Sequence, residues 1–370
     1  AEGLVRWQWN ASISQWTHEA NPYSRYSYYF VTEGDAPKRM STLTVAAADD
    51  VVSTVNHHAL FERDQAALYE GGRELYDPTD LSLSSQQISL AAPDIVEGST
   101  ARVYISVGGV GQKVAVPIQL TLAGETLGSF NLSSTVSNES GAETRRTFTT
   151  DKAAAKNTFN LSAQTVTETR LNALRLTYER RLNAASGAFA FSPQQSGPLT
   201  LSIQGATSST QVWRLQDALH EAAILPATNE GGYQASCPDG TLRYAIVDVN
   251  RNYPSPQVVG SVANQDLHAT TQADMVIVVP PSGIYAEQAE RLAQAHRQHQ
   301  GLNVVVVNAG QIYNEYSSGA PDATAIRRYL KMLYDRAESQ DAMPRYLLLF
   351  GACAWDNRML SDGWSGMKVE

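Results

Sequence analysis

The sequence changes its hydrophobic pattern near residue 272, and this change limits the fold more than any other feature. Before it, segments such as 101–106, 114–122 and 199–203 alternate apolar and polar side chains, and turns rich in Gly, Asn and Ser separate them. Many short period-2 segments at near-regular spacing are typical of a β-sandwich, here jelly-roll-like. After residue 272 the apolar runs become continuous and alternate with helical patterns.

The C-terminal part predicts a parallel α/β unit. Two amphipathic helices, at 285–299 and 324–337, separate apolar runs of the kind that form strands covered on both faces. Strand–helix–strand–helix–strand order gives a right-handed parallel sheet, whose ligands lie beyond the carboxyl ends of the strands. These ends fall near Pro280, Asn308 and Gly351. The predicted strands are 274–279, 302–307 and 346–350.

The fold class predicted is therefore mixed, with three segments. Residues 1–80 form an aromatic-rich β region, 81–265 a β-sandwich domain, and 266–370 the α/β unit. A chain of 370 residues is long enough for two or three domains that each bury a core.

Three local predictions depend on weaker patterns. Residues 25–31 have the β-branched and aromatic content of a strand. Residues 53–70 fit a short helix loosely, with Gly71 and Gly72 ending it. Residues 169–181 are charged like a helix but lie between strand-like neighbours, and we therefore interpret them as a strand.

Net charge argues against two classes of partner. The chain has 28 Lys and Arg against 37 Asp and Glu, a net charge of −9, which disfavours nucleic acid or anionic lipid as the main partner. No stretch approaches ~20 consecutive apolar residues, and the chain from Ala1 lacks the blocks of a signal peptide. We expect neither a membrane span nor a targeting segment.

A glycine-rich segment at 108–113 is the one candidate phosphate loop. A phosphate loop needs a helix after it, whose N-terminal amides hold the anion, whereas a strand pattern follows here. We interpret the segment as a hairpin turn. The α/β unit has no G-x-G-x-x-G after its first strand either, and no cofactor is expected.

The histidines do not predict a metal site. His296 and His299 lie on one helix face with Glu290, but their spacing matches no zinc motif. His57 and His58 are adjacent, and neighbours in a regular strand or helix cannot face one ligand. We interpret this pair as structural or solvated.

One cysteine lies where a catalytic nucleophile would be expected. Cys353 follows the third parallel strand, where α/β enzymes often place a nucleophile, but no histidine occupies a matching loop, and His268 precedes the first strand. A small buried hydrophobe is the favoured interpretation. The only other cysteine is Cys237, so a disulfide framework is excluded.

The segment 312–329 contains more polar and turn-forming residues than packing requires. It turns at 317–321 and enters a helix with Asp322 as a plausible N-cap. Capping is favoured for Asp322, while Asn314 and Glu315 could also support a neighbouring active-site loop.

These segments resemble the gingipain-type cysteine peptidase family. The resemblance is carried by residues 274–279, 288–293, 312–319, 322–328 and 344–351. Further pieces resemble one branch of that family, the sortases of the type IX secretion system of Bacteroidetes. They are residues 23–30, 62–64 with 72–74, 264–268 and 350–358.

The resemblance implies a caspase-like catalytic domain of two α/β subdomains, with a Cys/His dyad in the second. The chain contains no His-Gly pair of the family's kind, so both members of the dyad are expected downstream of Glu370. No catalytic, cofactor-binding or metal residue is therefore assigned, and this chain alone is expected to be inactive. The family commonly shows Gly-Asp after the third strand, whereas this chain has Gly351 and Ala352.

The activity implied is that of an endopeptidase and transpeptidase. Such an enzyme removes the C-terminal signal domain of cargo proteins and attaches them to anionic lipopolysaccharide, at the cell surface and beside an anchoring protein of the outer membrane. Two alternatives stay open. One is a non-catalytic surface binding or scaffold module with a decayed peptidase half, and the other is a complete hydrolase that uses Cys353.

Overall fold

Strands dominate the part of the protein that the structure describes, and the three α-helices found there all lie after residue 285. The computed structural model describes residues 4–24, 26–34, 39–68, 74–135, 141–217, 219–228 and 231–352. Cys353 lies outside the described residues. The predicted mixed fold class is confirmed.

The strands are, in chain order, β1 (Val5–Asn10), β2 (Gln15–Ala20), β3 (Ser41–Thr42), β4 (Val51–Val52), β5 (Thr54–Glu62), β6 (Gln86–Ala91), β7 (Ala101–Val110), β8 (Val116–Leu122), β9 (Glu125–Leu132), β10 (Gly141–Thr150), β11 (Lys156–Ala163), β12 (Thr169–Arg181), β13 (Phe189–Phe191), β14 (Gly197–Ser202), β15 (Thr210–Arg214), β16 (Ala223–Ile224), β17 (Gly232–Cys237), β18 (Tyr244–Asp248), β19 (Met275–Val279), β20 (Val304–Asn308) and β21 (Tyr346–Leu349). The helices are α1 (Ala286–Gln300), α2 (Ala309–Tyr316) and α3 (Ala323–Asp335).

The larger β-core lies between two antiparallel four-stranded sheets. One sheet has the order β10-β7-β12-β5 and the other β6-β11-β8-β9. Strand β6 shows why the sheets pack, because Ile88 and Leu90 are buried while Gln87, Ser89 and Ala91 are exposed. The inward side chains of both sheets form one apolar cluster, in which Ile105, Phe159 and Leu174 are fully buried. Burial of such faces drives the packing of the two sheets.

A second β-core follows along the chain. Its sheets have the orders β13-β18-β15-β16-β3 and β17-β14-β4. Leu199, Leu201 and Tyr244 are buried in it, as is Cys237, whose thiol pKa is raised by burial.

Pairing joins the first 80 residues to both β-cores. Strand β5 pairs with β12 of the larger core, while β3 and β4 pair in parallel with β16 and β14. Two β-cores are thus present where the sequence analysis anticipated one sandwich, since alternation identifies the inward face of a strand but not its partner. The division at residues 80 and 265 stays a prediction.

Two of the local predictions are wrong. Residues 53–70 were expected to be helical, but 54–62 form β5, with one face on the core and the other under an N-terminal hairpin. Residues 26–31 form no strand, although the composition of 25–31 favours one. The predicted strand at 169–181 is confirmed as β12.

The glycine-rich segment 108–113 is not a hairpin turn. Strand β7 continues through Val110, and the chain then crosses to β8 in the opposite sheet. Gly108 is required by close packing, because a Cβ there would lie 2.5 Å from Cε1 of Tyr76. No helix follows, so the loop has no helical amides to hold a phosphate.

The α/β unit has the predicted order of elements. Its sheet is parallel, with the order β20-β19-β21. Helices α2 and α3 cover one face of the sheet and α1 covers the other, so the central strand β19 is buried along its whole length. None of the described helices is long and apolar enough to cross a membrane.

We predict that Leu174→Ala destabilises the larger β-core. Leu174 is 0% exposed, and truncation of such a side chain leaves a cavity that lowers the free energy of unfolding by about 2–5 kcal/mol. The matched control is Leu83→Ala, since Leu83 is 84% exposed and should change stability by under ~0.5 kcal/mol. Chemical denaturation followed by circular dichroism measures both variants, and equal midpoints would contradict the assignment of this core.

Candidate functional site

The carboxyl edge of the parallel sheet is the first candidate site. Strands β19, β20 and β21 all run in one direction, so the loops that begin at Pro280, Ala309 and Phe350 leave the sheet at one edge. In open α/β sheets, ligands bind at this edge. The three loops predicted from sequence are therefore brought together.

Asn308 joins two of these loops. Its Oδ1 accepts from the backbone N–H of Gly310 at 2.7 Å and caps α2, while its Nδ2 donates to the carbonyls of Pro280 and Pro281, each at 3.1 Å. An amide is the side chain that can accept at one atom and donate twice at the other. Asn308 thus fixes the entrance of α2 against the loop that leads to α1.

The third loop packs against the same edge through an aromatic contact. The Phe350 backbone N–H donates to the Val278 carbonyl at 2.8 Å, and its ring lies edge-on to Tyr285 with centroids 6.0 Å apart. Ala352, where the family has Asp, is exposed. Residues 280–285, 308–310 and 350–352 include no thiol, imidazole or carboxylate. The described part of this edge therefore offers positioned backbone and amide groups for binding.

Glu315 organises a second cluster at the end of α2. Its Oε1 accepts from Nε2 of Gln265 and from the backbone N–H of Leu267, and its Oε2 lies near Nδ1 of His268, all at 2.7 Å. Burial works against ionisation of Glu315, but these hydrogen bonds outweigh it and lower the pKa of the carboxyl. The ring of His268 also stacks on Tyr316, with centroids 4.9 Å apart. Glu315 therefore anchors the segment that enters the α/β unit.

Asp266, His268 and Glu315 have the residue types of a metal site, and their ligand atoms lie within 4.8 Å of one another. The same atoms already have protein partners, however. Asp266 accepts from the Ala269 backbone at 3.0 Å, and both Glu315 oxygens receive hydrogen bonds. These hydrogen bonds indicate that the cluster holds residues 264–269 in place, and they favour this role over that of a cation site.

The remaining sequence candidates have local partners. Asp322 accepts from the backbone N–H of Thr324 at 2.8 Å, which confirms it as the N-cap of α3. Asn314 donates to Oε1 of Gln265 at 3.1 Å, so it supports the Glu315 anchor. On α1, Glu290 pairs with Arg297 and Nδ1 of His296 lies 2.7 Å from Oε1 of Gln300.

A polar pocket in the β part was missed by the sequence analysis. It has a volume of about 470 Å³ and lies between the β1–β2 hairpin and the sheet that contains β12. Arg175 at its base is buried, which lowers the pKa of the guanidinium to about 10, and its carbon Cζ lies 4.3 Å from the ring centre of Tyr104. The pocket includes acidic residues from two of the segments that carried the family resemblance: Glu62, Asp64 and Glu74.

Comparison with known proteins gives a family match for the α/β unit. Residues 268–367 match the model of peptidase family C25. The gingipain-type resemblance is confirmed. No curated protein matches the chain.

One solved structure extends the likeness of fold to the β part. The crystal structure of dimeric latent PorU from Porphyromonas gingivalis superposes with a TM-score of 0.78 at 22% identity, over 98% of this chain and 36% of that chain. A family 35 carbohydrate binding module from an environmental isolate gives a TM-score of 0.24 at 16% identity, over 34% of this chain and 88% of that one. The chain has the fold of part of PorU and spans about a third of its length.

We predict that Asn308→Ala loosens the carboxyl edge. Loss of the cap and of two donated hydrogen bonds should lower the free energy of unfolding by about 1–2 kcal/mol. Asn303→Ala is the matched control, because within the described residues the contacts given for Asn303 are made by its backbone. Thermal unfolding compares the two variants, and an unchanged midpoint for Asn308→Ala would show that the amide does not hold the loops together.

We also predict that Glu315→Gln releases residues 264–269. Charge-assisted hydrogen bonds of this kind contribute about 1.5–3 kcal/mol, so amide exchange there should quicken at least about tenfold. The stabilisation of the ionised carboxylate is present above its unfolded pKa and is lost as the pH falls through the lowered one. Wild type should therefore approach the variant in acid. Glu287→Gln on the exposed start of α1 is the control, and equal exchange in both variants would argue against the anchor.

Proposed function

We propose that this chain is the N-terminal part of a gingipain-type cysteine endopeptidase and transpeptidase that acts as a sortase. The full enzyme would remove the C-terminal signal domain of cargo proteins and attach the cargo to anionic lipopolysaccharide. The observation that carries the proposal is the C25 match of residues 268–367 within a chain that shares the fold of PorU along nearly its whole length.

The reaction proceeds by two acyl transfers. A cysteine thiolate attacks the scissile carbonyl, a thioester forms, and the signal domain leaves with its amine protonated by the dyad histidine. An amine of the acceptor then attacks the thioester and gives a proton to the dyad histidine, the new amide forms, the C–S bond breaks, and the thiolate is regenerated. The thioester divides one slow amide exchange into two easier steps. Both dyad residues are expected downstream of Glu370.

In this scheme the described residues bind and position. The carboxyl edge held by Asn308 forms one wall of the peptidase domain, and the Glu315 anchor ties that wall to the β scaffold. Strand β21 offers the surface for the dyad-bearing half. It is an edge strand among the described residues, with Tyr346, Leu347 and Leu349 each at least 45% exposed. An apolar edge strand of this kind favours coverage by a further part of the protein.

The location and partners follow from the same proposal. A sortase that attaches cargo to anionic lipopolysaccharide works on the outer face of the outer membrane, next to an anchoring protein. Protease accessibility on intact cells tests the location, since a protein on this face is digested without lysis.

The activity is tested with the full-length native protein. A cargo protein that carries its C-terminal signal domain is incubated with an amine acceptor, and mass spectrometry measures release of the domain and the mass of the amide adduct. We expect both products, and their loss after treatment with a thiol-alkylating reagent. Cargo that binds but stays intact would favour the non-catalytic scaffold module instead.

The role of β21 gives a sharper prediction. Leu349→Asp in the full-length protein should reduce cargo cleavage at least about tenfold, because it places a charge on the apolar surface that the dyad-bearing half would bury. Leu83→Asp is the matched control, on an exposed leucine of the β part, and should leave cleavage unchanged. Equal activity of both variants would contradict this packing while leaving the sortase proposal to the cargo assay.

A further inference from the structure

The N-terminal hairpin, formed by β1 and β2, packs on the ring of His58, and we call this contact the seat of the hairpin. The indole of Trp7 stacks flat on the ring of His58, with centroids 3.5 Å apart and planes at 15°, and Trp16 meets the same ring edge-on at 5.2 Å. Trp16 is buried, and its Nε1–H donates to the Asn56 carbonyl at 2.8 Å. These contacts attach β1 and β2 to the outer face of β5.

Positive and ionisable groups surround this ring. His57 stacks on His58 from the same strand at 4.8 Å, and His18 approaches from β2, where its ring lies 5.5 Å from Trp7. Strand β12 contributes Arg175 and Arg180, both buried. The other titratable groups around the seat are Glu62, which lies 3.5 Å from His18, Asp94, which pairs with Arg180, Tyr104 under Arg175, and Tyr178 beside His57.

Hydrogen bonds require a neutral His18 at this seat. Nη1 of Arg175 lies 2.6 Å from Nδ1 of His18, and a guanidinium can only donate, so this nitrogen carries a lone pair. Nε2 then holds the proton and faces Glu62. A second proton on His18 would point at the guanidinium of Arg175.

We propose that the β1–β2 hairpin is an acid-released strap, which stays seated while His58 is neutral and whose release opens the polar pocket beneath it. Protonation of His58 adds a positive charge beside two buried arginines. Trp7 and Trp16 also cover much of the surface through which water would solvate an imidazolium at position 58. The open form solvates the ring of His58 and accepts the proton.

Linkage gives the direction of the pH effect. Burial and the charges of His57 and Arg175 lower the pKa of the seated His58 to about 2, whereas a solvated histidine has a pKa near 6.5. Seating is therefore unaffected above about pH 6.5 and weakens below it, because only the open form takes up the proton. One histidine raises the opening constant about 30-fold between pH 7.5 and pH 5.

Hydrogen exchange of the whole chain, with labelling times corrected for the intrinsic effect of pH, tests this inference. In wild type we expect exchange in residues 4–20 to rise about 30-fold or more on going to pH 5, while β7 and β8 stay protected. Between pH 6 and pH 4.5 the opening constant should rise about 25-fold in all, which reports uptake of one proton.

His58→Phe keeps a flat ring against Trp7 but cannot take up a proton, so we expect it to remove the greater part of the pH effect. His220→Gln is the control, because His220 pairs with Asp217 on an exposed loop far along the chain. Protection at pH 7.5 shows whether each variant has folded.

Three results would overturn the proposal. One is equal protection of residues 4–20 at both pH values in wild type, and another is joint loss of protection in the hairpin and in β7 and β8. The third is an unchanged pH effect in a folded His58→Phe variant. Should that variant fail to fold, the wild-type dependence decides alone, since an opening constant that does not change with pH excludes proton uptake.

Discussion

Strand β12 is the element on which the β part depends. Its thirteen residues pair with β7 on one side and β5 on the other, and they are buried along nearly the whole length. Leu171, Leu174 and Leu176 face the apolar core, while Arg175 belongs to the opposite face, under the hairpin. Strand β12 thus contributes leucines to the core between the sheets and places the charge of Arg175 beneath the N-terminal hairpin. A buried arginine is tolerated there because His18 and the Tyr104 ring replace its water.

The α/β unit depends on hydrogen bonds at two points. Asn308 connects two loops at the carboxyl edge, and Glu315 holds the segment that arrives from the β part. Each side chain takes the place of a missing backbone partner. An amide serves at position 308 because it must both donate and accept, whereas a carboxylate serves at position 315 because its oxygens accept. These hydrogen bonds fix the two loops at the carboxyl edge and the entering segment in defined positions.

The sequence predicted the α/β unit well and the N-terminal region poorly, for physical reasons. Strand β19 is covered on both faces, so its continuous apolar run can be recognised without knowing its neighbours. Strand β5 is also covered on both faces. Its outer face packs under the aromatic hairpin through His58, and such polar rings obscure the apolar pattern in the sequence of the strand. The seat joins Trp7, His58 and Arg175, and no local pattern relates residues this far apart in sequence. Its one sequence signal was the density of aromatic residues before position 30.

The hairpin and the peptidase-like unit are adjacent in space through the chain that follows β2. Residues 26–34 run across the turn between α2 and α3, where Gly319 has φ +83°, and a Cβ there would lie 3.3 Å from Cβ of Tyr28 and 3.4 Å from Cζ of Phe30. Gly319 is therefore required twice, by its left-handed backbone and by this close approach. The segment has no strand partner, so side-chain packing has to hold it in place. Tyr28 and Phe30 therefore approach the turn that precedes α3, and α3 lies over the sheet whose carboxyl edge forms the candidate site.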